Sequence, residues 1–431
     1  MNDRVTRHRV SRRAVNAGIG AALISPALAR TPAFAQGAAP IKIGFGMALT
    51  GPLAPNGQQA LLGAQIWAEE VNAKGGLIGR KVEIVHYDDQ SNPSNVPGIY
   101  TKLLDVDKAD LIISGYATNM VAPAIPVAMQ KNKLFVSLFA LDANAEFKYP
   151  KYFSMIPTGG PNPRQTFSAN FFSVAAAQNP KPQTLALAGE DAEFSRNAMD
   201  GARENAKKHG FRIVYDRTYP PNTTDYSPVI RAIQAANPDL VCICSYPLSS
   251  VGMTLSANEL GLKPKMFGGG MVGLQVTVFK NKLKSKLNGI TNYENWVPSP
   301  KLMAPAAGFF KKYQARAPGL GIDPLGYYLG GWGYARMQLL AQAITATRSI
   351  DDGKLADYFR SHAFDTIMID GLRFGKNGEW LKDRQLEVQY HDITDAADLE
   401  TWRGMSYQTV LAPADEVTGK AIYPYADALK A

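Results

Sequence analysis

The sequence predicts an α/β protein with two lobes, each formed by a parallel sheet covered by helices. Short runs rich in β-branched and apolar residues alternate with helix-length segments, which is typical of βαβ units. A proline- and glycine-rich segment at Pro157–Pro161 divides this alternation into two series of about four strands each. Two lobes joined by chain crossings enclose a cleft, and clefts between domains are common ligand sites.

The first series covers residues 41–137. The glycines in Lys74-Gly75-Gly76 predict the end of its first helix. Asp88-Asp89, followed by Asn92-Pro93, is more typical of a turn at the end of a strand than of a metal pair. We expect strands at Ile41–Met47, Lys81–His86, Asp110–Ser114 and Leu134–Ser137, and helices at Gly57–Asn72, Val96–Val106 and Met120–Lys131.

The second series covers residues 184–268. Cys242 and Cys244 lie on one face of a predicted strand, with a spacing too large for a relaxed disulfide, so we expect two buried thiols. Three later helices follow one another without predicted strands, which indicates that they return to cover the first lobe. We expect strands at Thr184–Ala188, Phe211–Thr218, Leu240–Cys244 and Lys265–Gly268, and helices at Glu193–His209, Tyr226–Ala236, Ser249–Leu260, Pro305–Arg316, Leu325–Thr347 and Leu355–His362.

The chain has 431 residues and a formal net charge of +9, much of which lies at the N-terminus. Residues 1–35 contain six arginines and one acidic residue, which leaves 40 of the 46 basic and 36 of the 37 acidic residues in the remainder. That remainder has no dense basic stripe interleaved with aromatic residues, so nucleic-acid binding is not predicted. No run of about 18 uncharged apolar residues follows, so we expect no insertion into a membrane.

Residues 1–35 have the organisation of an export signal. A basic start is followed by an apolar stretch at 14–29 and by the small residues of Ala33-Phe34-Ala35, which suit a cleavage site. The pair Arg12-Arg13 before a weakly hydrophobic stretch is typical of a twin-arginine signal. Arg30 favours that type over an ordinary secretory signal, which is the alternative. We expect cleavage near Ala35.

The sequence contains no recognisable catalytic constellation. Metalloprotease, nucleophile-elbow and phosphate-loop motifs are missing, and Gly44 and Gly46 lack the third glycine of a dinucleotide site. The four histidines after residue 35 are far apart in the sequence. We therefore predict a protein that is not an enzyme and that has no cofactor and no metal; an exported enzyme is the less favoured alternative. These histidines are His86, His209, His362 and His391.

Several short motifs occur in a fixed order along the chain. The first are Ile41-Lys42-Ile43-Gly44, Leu49-Thr50-Gly51-Pro52, Gly57, Asn72-Ala73-Lys74-Gly75-Gly76, Gly79 and Tyr87-Asp88-Asp89. They are followed by Ser114-Gly115, Pro123-Ala124, the helix at 330–343 and the segment 371–377. Together these motifs resemble the periplasmic substrate-binding proteins of branched-chain amino acid ABC transporters, from about residue 40 to 395.

The resemblance implies the type I periplasmic-binding fold of leucine-binding proteins, with two Rossmann-like lobes joined by three hinge crossings. It implies a monomeric receptor in the periplasm that binds a small carboxylate-bearing ligand and delivers it to a membrane permease. The implied first lobe comprises residues 40–158 and 293–366, and the second comprises 159–292 and 367–395. Residues 396–431 extend beyond the resemblance and are expected to pack on the second lobe.

The resemblance also implies a set of ligand contacts. The ligand carboxylate would meet the Thr118 hydroxyl and backbone N–H groups at the start of a helix, where the dipole favours an anion. The alternative for Thr118 is a helix N-cap, and both roles are compatible. The second lobe would contribute aromatic side chains. The implied contacts are Tyr116, Thr118 and Asn119 after the third strand, Ala140, Leu141 and Asp142 after the fourth, and Phe194 and Tyr246 from the second lobe.

Two positions depart from the family pattern. Met271 occupies the place where amino-acid binders have a carboxylate for the ligand ammonium, and Asn56 replaces an aromatic residue. If Asp142 points into the cleft, it supplies the missing charge and an amino acid is the ligand. If Asp142 is an exposed turn residue, an aromatic acid, an amide or a urea-like ligand fits better, for a receptor or an effector sensor. Tyr116, Phe139, Phe194, Tyr246 and Met271 would form an apolar wall in either case.

Overall fold

The computed structural model describes residues 39–430, and within them the chain forms two α/β lobes. The signal-peptide prediction for residues 1–35 lies outside the described residues. No helix in the described part of the chain has the length and apolar character needed to cross a membrane. The two-lobed α/β prediction is confirmed, and the differences concern individual strands and helices.

The first lobe contains five parallel strands in the order β2-β1-β3-β4-β5. The helix predicted as one piece at 120–131 is instead broken into α3 and α4 by a short 3₁₀ turn at Ala122–Ala124. Pro123 and Pro126 cause the break, because proline lacks the N–H that a continuous helix requires. The bounds are β1 Ile41–Met47, α1 Ala54–Ala73, β2 Val82–Asp88, α2 Val96–Asp105, β3 Leu111–Tyr116, α3 Thr118–Val121, α4 Ile125–Gln130, β4 Phe135–Leu138 and β5 Tyr152–Ser154.

The second lobe contains seven strands in the order β12-β11-β10-β9-β8-β6-β7. Strands β6 to β10 are parallel, whereas β11 and β12 join by antiparallel pairing, which the sequence did not predict. Cys242 and Cys244 are buried free thiols, as predicted. The bounds are α5 Pro163–Ala176, β6 Thr184–Glu190, α6 Glu193–His209, β7 Arg212–Tyr219, α7 Ser227–Ala236, β8 Leu240–Ser245, α8 Pro247–Glu259, β9 Met266–Met271, α9 Thr277–Leu283 and β10 Ile290–Glu294.

The later helices pack on the first lobe, as expected from the lack of predicted strands between them. Helices α1 and α11 touch through their backbones, because a Cβ added at Gly63 would lie 2.1 Å from the carbonyl oxygen of Gly330. A Cβ added at Gly333 would likewise lie 2.3 Å from the carbonyl oxygen of Ala60. The remaining bounds are α10 Pro300–Arg316, α11 Gly330–Thr347, α12 Asp352–Ser361, β11 Leu386–Tyr390, β12 Gln408–Ala412 and α13 Tyr425–Ala428.

Three chain segments connect the lobes, between β5 and α5, between β10 and α10, and between α12 and β11. The last segment stays with the first lobe for longer than expected, since the Phe374 ring packs against Phe153 at 5.2 Å. We therefore propose that the lobe boundary lies after Phe374 and not at 366. The chain after residue 396 adds β12 and the buried residues Trp402, Tyr407 and Tyr425 to the second lobe.

Candidate ligand-binding cleft

A cleft of about 520 Å³ lies between the two lobes. The residues around it follow the carboxyl ends of β1, β2 and β3 in the first lobe and of β6, β7 and β8 in the second. Ligands of open α/β sheets bind outside this edge, because the loops that join strands to helices converge there. Side chains that line the cleft include Leu53, Asn119, Glu190, Glu193, Asn222 and Tyr246.

The loop after β3 is held in an unusual conformation. Ala117 has a φ of 81°, a region that residues other than glycine rarely adopt. The buried Thr118 hydroxyl accepts a hydrogen bond of 3.0 Å from the backbone N–H of Leu141 and thereby ties together the loops after β3 and β4. The hydroxyl does not cap α3, whose N-cap is Ala117, and α3 has only four residues. The expected dipole at this position is therefore weak.

Two hydrogen bonds join the lobes across the cleft. The Tyr246 hydroxyl donates to Asn119 Oδ1 at 2.6 Å, and Asn197 Nδ2 donates to the carbonyl oxygen of Leu141 at 2.9 Å. The Tyr246 ring packs on Phe194, with the ring centroids 5.4 Å apart. These contacts describe a closed arrangement, in which residues of both lobes meet over the cleft.

Tyr116 and Tyr328 form a buried polar cluster with Asn56 in the core of the first lobe. Asn56 Nδ2 donates to the Tyr116 hydroxyl at 2.9 Å, and the Tyr116 and Tyr328 hydroxyls lie 3.2 Å apart. Burial raises the pKa of Tyr116, Tyr246 and Tyr328 well above the ordinary value, so all three phenols are neutral at physiological pH. Asn56 therefore takes part in this network through its amide.

Asp142 forms an ion pair across the lobes and is neither an exposed turn residue nor a free charge in the cleft. Its Oδ2 lies 2.6 Å from Arg164 Nε of α5, while Arg164 Nη1 lies 3.2 Å from Asp200. Burial raises the pKa of Asp142, and Arg164 opposes that shift. Asp142 borders cavities at the rim of the interlobe space and not the cavity beside Tyr246.

The comparisons with known proteins agree with the two-lobed fold. The family model described as "Periplasmic binding protein" matches residues 40–390. The chain belongs to this family. The resemblance found in the sequence is thereby confirmed.

Relatives of this periplasmic binding protein share low identity over most of their length. It is 24% identical over 394 residues to the "Leu/Ile/Val-binding protein homolog 8" of Brucella suis, covering 89% of this chain and 95% of the relative. It is 24% identical over 334 residues to the Leu/Ile/Val-binding protein of Escherichia coli K12, covering 76% of this chain and 85% of that one.

Solved structures show the same fold. The branched-chain amino acid transporter substrate-binding protein LivJ of Streptococcus pneumoniae, in complex with isoleucine, matches with a TM-score of 0.69 and 18% identity, covering 87% of this chain and 100% of that one. The leucine-binding protein LivK of Thermotoga maritima matches with a TM-score of 0.70 and 18% identity, covering 87% of this chain and 99% of that one.

The apolar residues predicted for the site of this periplasmic binding protein are buried. Ala140 and Met271 are fully buried. Met271 belongs to the hydrophobic cluster of the second lobe, and its backbone N–H donates to Asn292 Oδ1 at 2.9 Å. Met271 therefore offers the cleft no polar side chain. The structure brings Tyr116, Phe139, Phe194 and Tyr246 into one buried cluster that does not contain Met271.

The sequence interpretation missed one residue that lines the cleft and two tyrosines of the buried core. Tyr328 precedes α11 and contacts Phe139, with ring centroids 5.6 Å apart, and Tyr293 of β10 packs on Phe167 at 4.8 Å. Glu190 ends β6 and lines the cleft. No short motif marks Tyr293 or Tyr328, whereas Glu190 was detectable as a carboxylate directly after a buried strand.

Proposed function

We propose that this protein is the solute receptor of an ABC importer and that it binds an amino acid with an apolar side chain. Membership of the periplasmic binding protein family and the names of the relatives support this proposal. The observation that carries it is the interlobe cleft, where the Tyr246–Asn119 and Asn197–Leu141 hydrogen bonds join the lobes beside an aromatic wall.

The proposed mechanism is hinge closure without chemical change in the ligand. In the open form the ligand carboxylate binds to the loops after β3 and β4, near Thr118, and the rings of Tyr116, Phe194 and Tyr246 contact the ligand side chain. Closure then forms the hydrogen bonds between the lobes, and the permease recognises the closed form. Ligand binding shifts the population from open to closed, because only the closed form contacts the ligand from both sides.

Several finer points belong to the same proposal. Family membership implies a periplasmic location. Export by the twin-arginine route, cleavage near Ala35, a monomeric state and the absence of enzymatic activity are proposed from the sequence. A receptor role agrees with the cleft, because the described side chains that line it include no histidine, lysine or cysteine and form no recognisable pair of nucleophile and base.

A thermal-shift screen tests the proposed function. The panel contains branched-chain and aromatic amino acids, their deaminated acids, amides and urea. A ligand at 100 times its Kd adds about 2.7 kcal/mol to the free energy of unfolding, so a binder is readily detected. We expect an apolar amino acid to raise the melting temperature and to compact the protein in small-angle scattering. A panel without any binder, or turnover of a bound compound, would contradict the proposal.

A second candidate ligand class has a specific observation in its favour. Met271 provides no charge, and Asp142 is already neutralised by Arg164. Both facts favour a ligand without an ammonium group, such as an aromatic acid or an amide. Stabilisation by a deaminated acid but not by the corresponding amino acid would select this class.

A further inference from the structure

An amino acid bound between the lobes needs a counter-charge for its ammonium group. Burying a cation without a paired anion is costly. In this chain Met271 packs in an apolar cluster, and Asp142 is occupied by Arg164 at 2.6 Å. The counter-charge must therefore come from another residue of the cleft.

Glu190 is a buried carboxylate without a basic partner among the described residues. It is only 7% exposed and lines the cleft together with Tyr246. Its Oε2 accepts a hydrogen bond from the Ser249 hydroxyl near the start of α8. Within residues 39–430, no lysine or arginine forms an ion pair with it. Burial raises the pKa of Glu190.

The neighbouring carboxylates are less suitable. Asp191 is exposed and pairs with Arg196, with Oδ1 and Nη1 2.8 Å apart. Glu193 lies within the electrostatic influence of Arg196 and Arg164. Glu190 thus combines burial, a place at the cleft and, in the described part of the chain, the lack of a basic partner.

We propose that Glu190 binds the ligand ammonium group. The Ser249 hydroxyl positions the carboxylate, and a cationic group that enters the cleft would supply the basic partner that Glu190 lacks among the described residues. The inference rests on the proposed function and deepens it, since it specifies ligands with a primary ammonium beside an apolar side chain.

The test compares leucine with isocaproate, which is leucine without its amino group, by isothermal titration calorimetry. The variants are Glu190→Gln, the conservative Glu190→Asp and the control Glu259→Gln, which removes one exposed negative charge at the C-terminal end of α8. We expect Glu190→Gln to weaken leucine binding about 30-fold or more, as for a truncated buried charge pair. Isocaproate binding should change less than about 3-fold. Glu190→Asp should retain part of the leucine affinity, and Glu259→Gln should retain all of it.

Other outcomes overturn the inference, and they separate it from the proposed function. An equal loss of leucine and isocaproate binding in Glu190→Gln would show that Glu190 only supports the α8 region. If the wild-type protein binds isocaproate but not leucine, the receptor proposal survives and the role of Glu190 fails. If the wild-type protein binds no compound of the wider thermal-shift panel, both fail together. The melting temperature of each variant, measured without ligand, shows whether a loss of binding arises from misfolding.

Discussion

Tyr246 contributes both an aromatic surface and a hydrogen bond to lobe closure. Its hydroxyl donates to Asn119 Oδ1 at 2.6 Å, and its ring packs on Phe194. Tyr246→Phe keeps the ring and removes only the bond, which is worth about 0.5–1.5 kcal/mol. We expect ligand affinity to fall about 2- to 10-fold in calorimetry, with the larger part of the change in the dissociation rate.

The partner residue provides the control for this prediction. Asn119→Ala removes the acceptor of the same hydrogen bond. The double variant should therefore bind the ligand about as weakly as either single variant, because all three lack the same bond. If Tyr246→Phe leaves the affinity unchanged, the bond to Asn119 does not contribute to the ligand-bound form.

The ion pair between Asp142 and Arg164 spans the lobes and should act on closure, whatever the ligand is. Both side chains are partly buried, and pairs of this kind contribute about 0.2–1 kcal/mol. We expect Asp142→Asn and Arg164→Gln to weaken binding to a similar extent, about 2- to 5-fold, and the double variant to lose little more. Equal effects on leucine and isocaproate are expected.

A different pattern would assign the contact with the ligand ammonium group to Asp142, as the sequence allowed. If Asp142→Asn abolishes binding of leucine only, while Arg164→Gln does not, then Asp142 and not Glu190 neutralises the ammonium. The ligand contact predicted for Asp142 stays a prediction until that comparison is made.

The sequence allowed the contact between Phe194 and Tyr246 to be anticipated, but not the ion pair of Asp142. Phe194 and Tyr246 follow strands whose ends are visible in the sequence, and their rings pack on each other at a tilt. The partner of Asp142 could not be foreseen, because Arg164 lies in the first turn of a helix that the sequence interpretation did not contain. Likewise Tyr328 meets Tyr116 only because the chain returns to the first lobe more than 200 positions after Tyr116.

The strands that the sequence did not predict are short. β5 has three residues and lies beside β4, and β10, β11 and β12 have five residues each. Segments of this length offer too few positions to show a hydrophobic period. β11 and β12 also pair antiparallel with long intervening segments, which a repeating βαβ pattern does not suggest.

Close packing of α1 against α11 depends on glycine. A Cβ at Gly63 would lie 2.1 Å from the carbonyl oxygen of Gly330, a distance that requires the helices to move apart. We expect Gly63→Ala to lower the free energy of unfolding by about 1–3 kcal/mol, as overpacked sites do, in denaturant titrations. Gly308→Ala is the matched control, because a Cβ added there would meet no atom of the described, non-neighbouring residues within 4 Å.

The control should change stability in the opposite direction. Gly308 lies inside α10, and alanine in a helix interior is favoured over glycine by about 0.5–1 kcal/mol. If Gly63→Ala were as stable as the wild-type protein, the two helices would be free to adjust, and the contact between their backbones would not restrict the first lobe.

Stability of the whole molecule should depend on pH through the turn after β2. Asp89 is buried, its Oδ1 accepts a hydrogen bond from the Ser91 N–H at 2.9 Å, and its Oδ2 has no partner within the part of the chain that the structure describes. Burial raises the pKa of Asp89 from 3.8 to about 7. The folded state therefore binds the Asp89 proton more tightly than the unfolded state does. As pH rises from about 4 to 7, the contribution of Asp89 to the free energy of unfolding declines, by at most about 1.4 kcal/mol per pH unit.

Asp89→Asn should remove this decline, because its amide does not titrate and its oxygen can still accept from Ser91. In urea titrations, the variant should gain stability relative to wild type between about pH 4 and 7 and show a constant difference above that range.

Asp88 provides the opposite case. Although burial opposes its ionisation, hydrogen bonds from Thr50, Gln90 and Leu49 lower its pKa. Asp88→Asn should therefore lose stability relative to wild type at neutral pH and approach it in acid. A parallel response of the two variants would contradict the assignment of a raised pKa to Asp89 and a lowered one to Asp88.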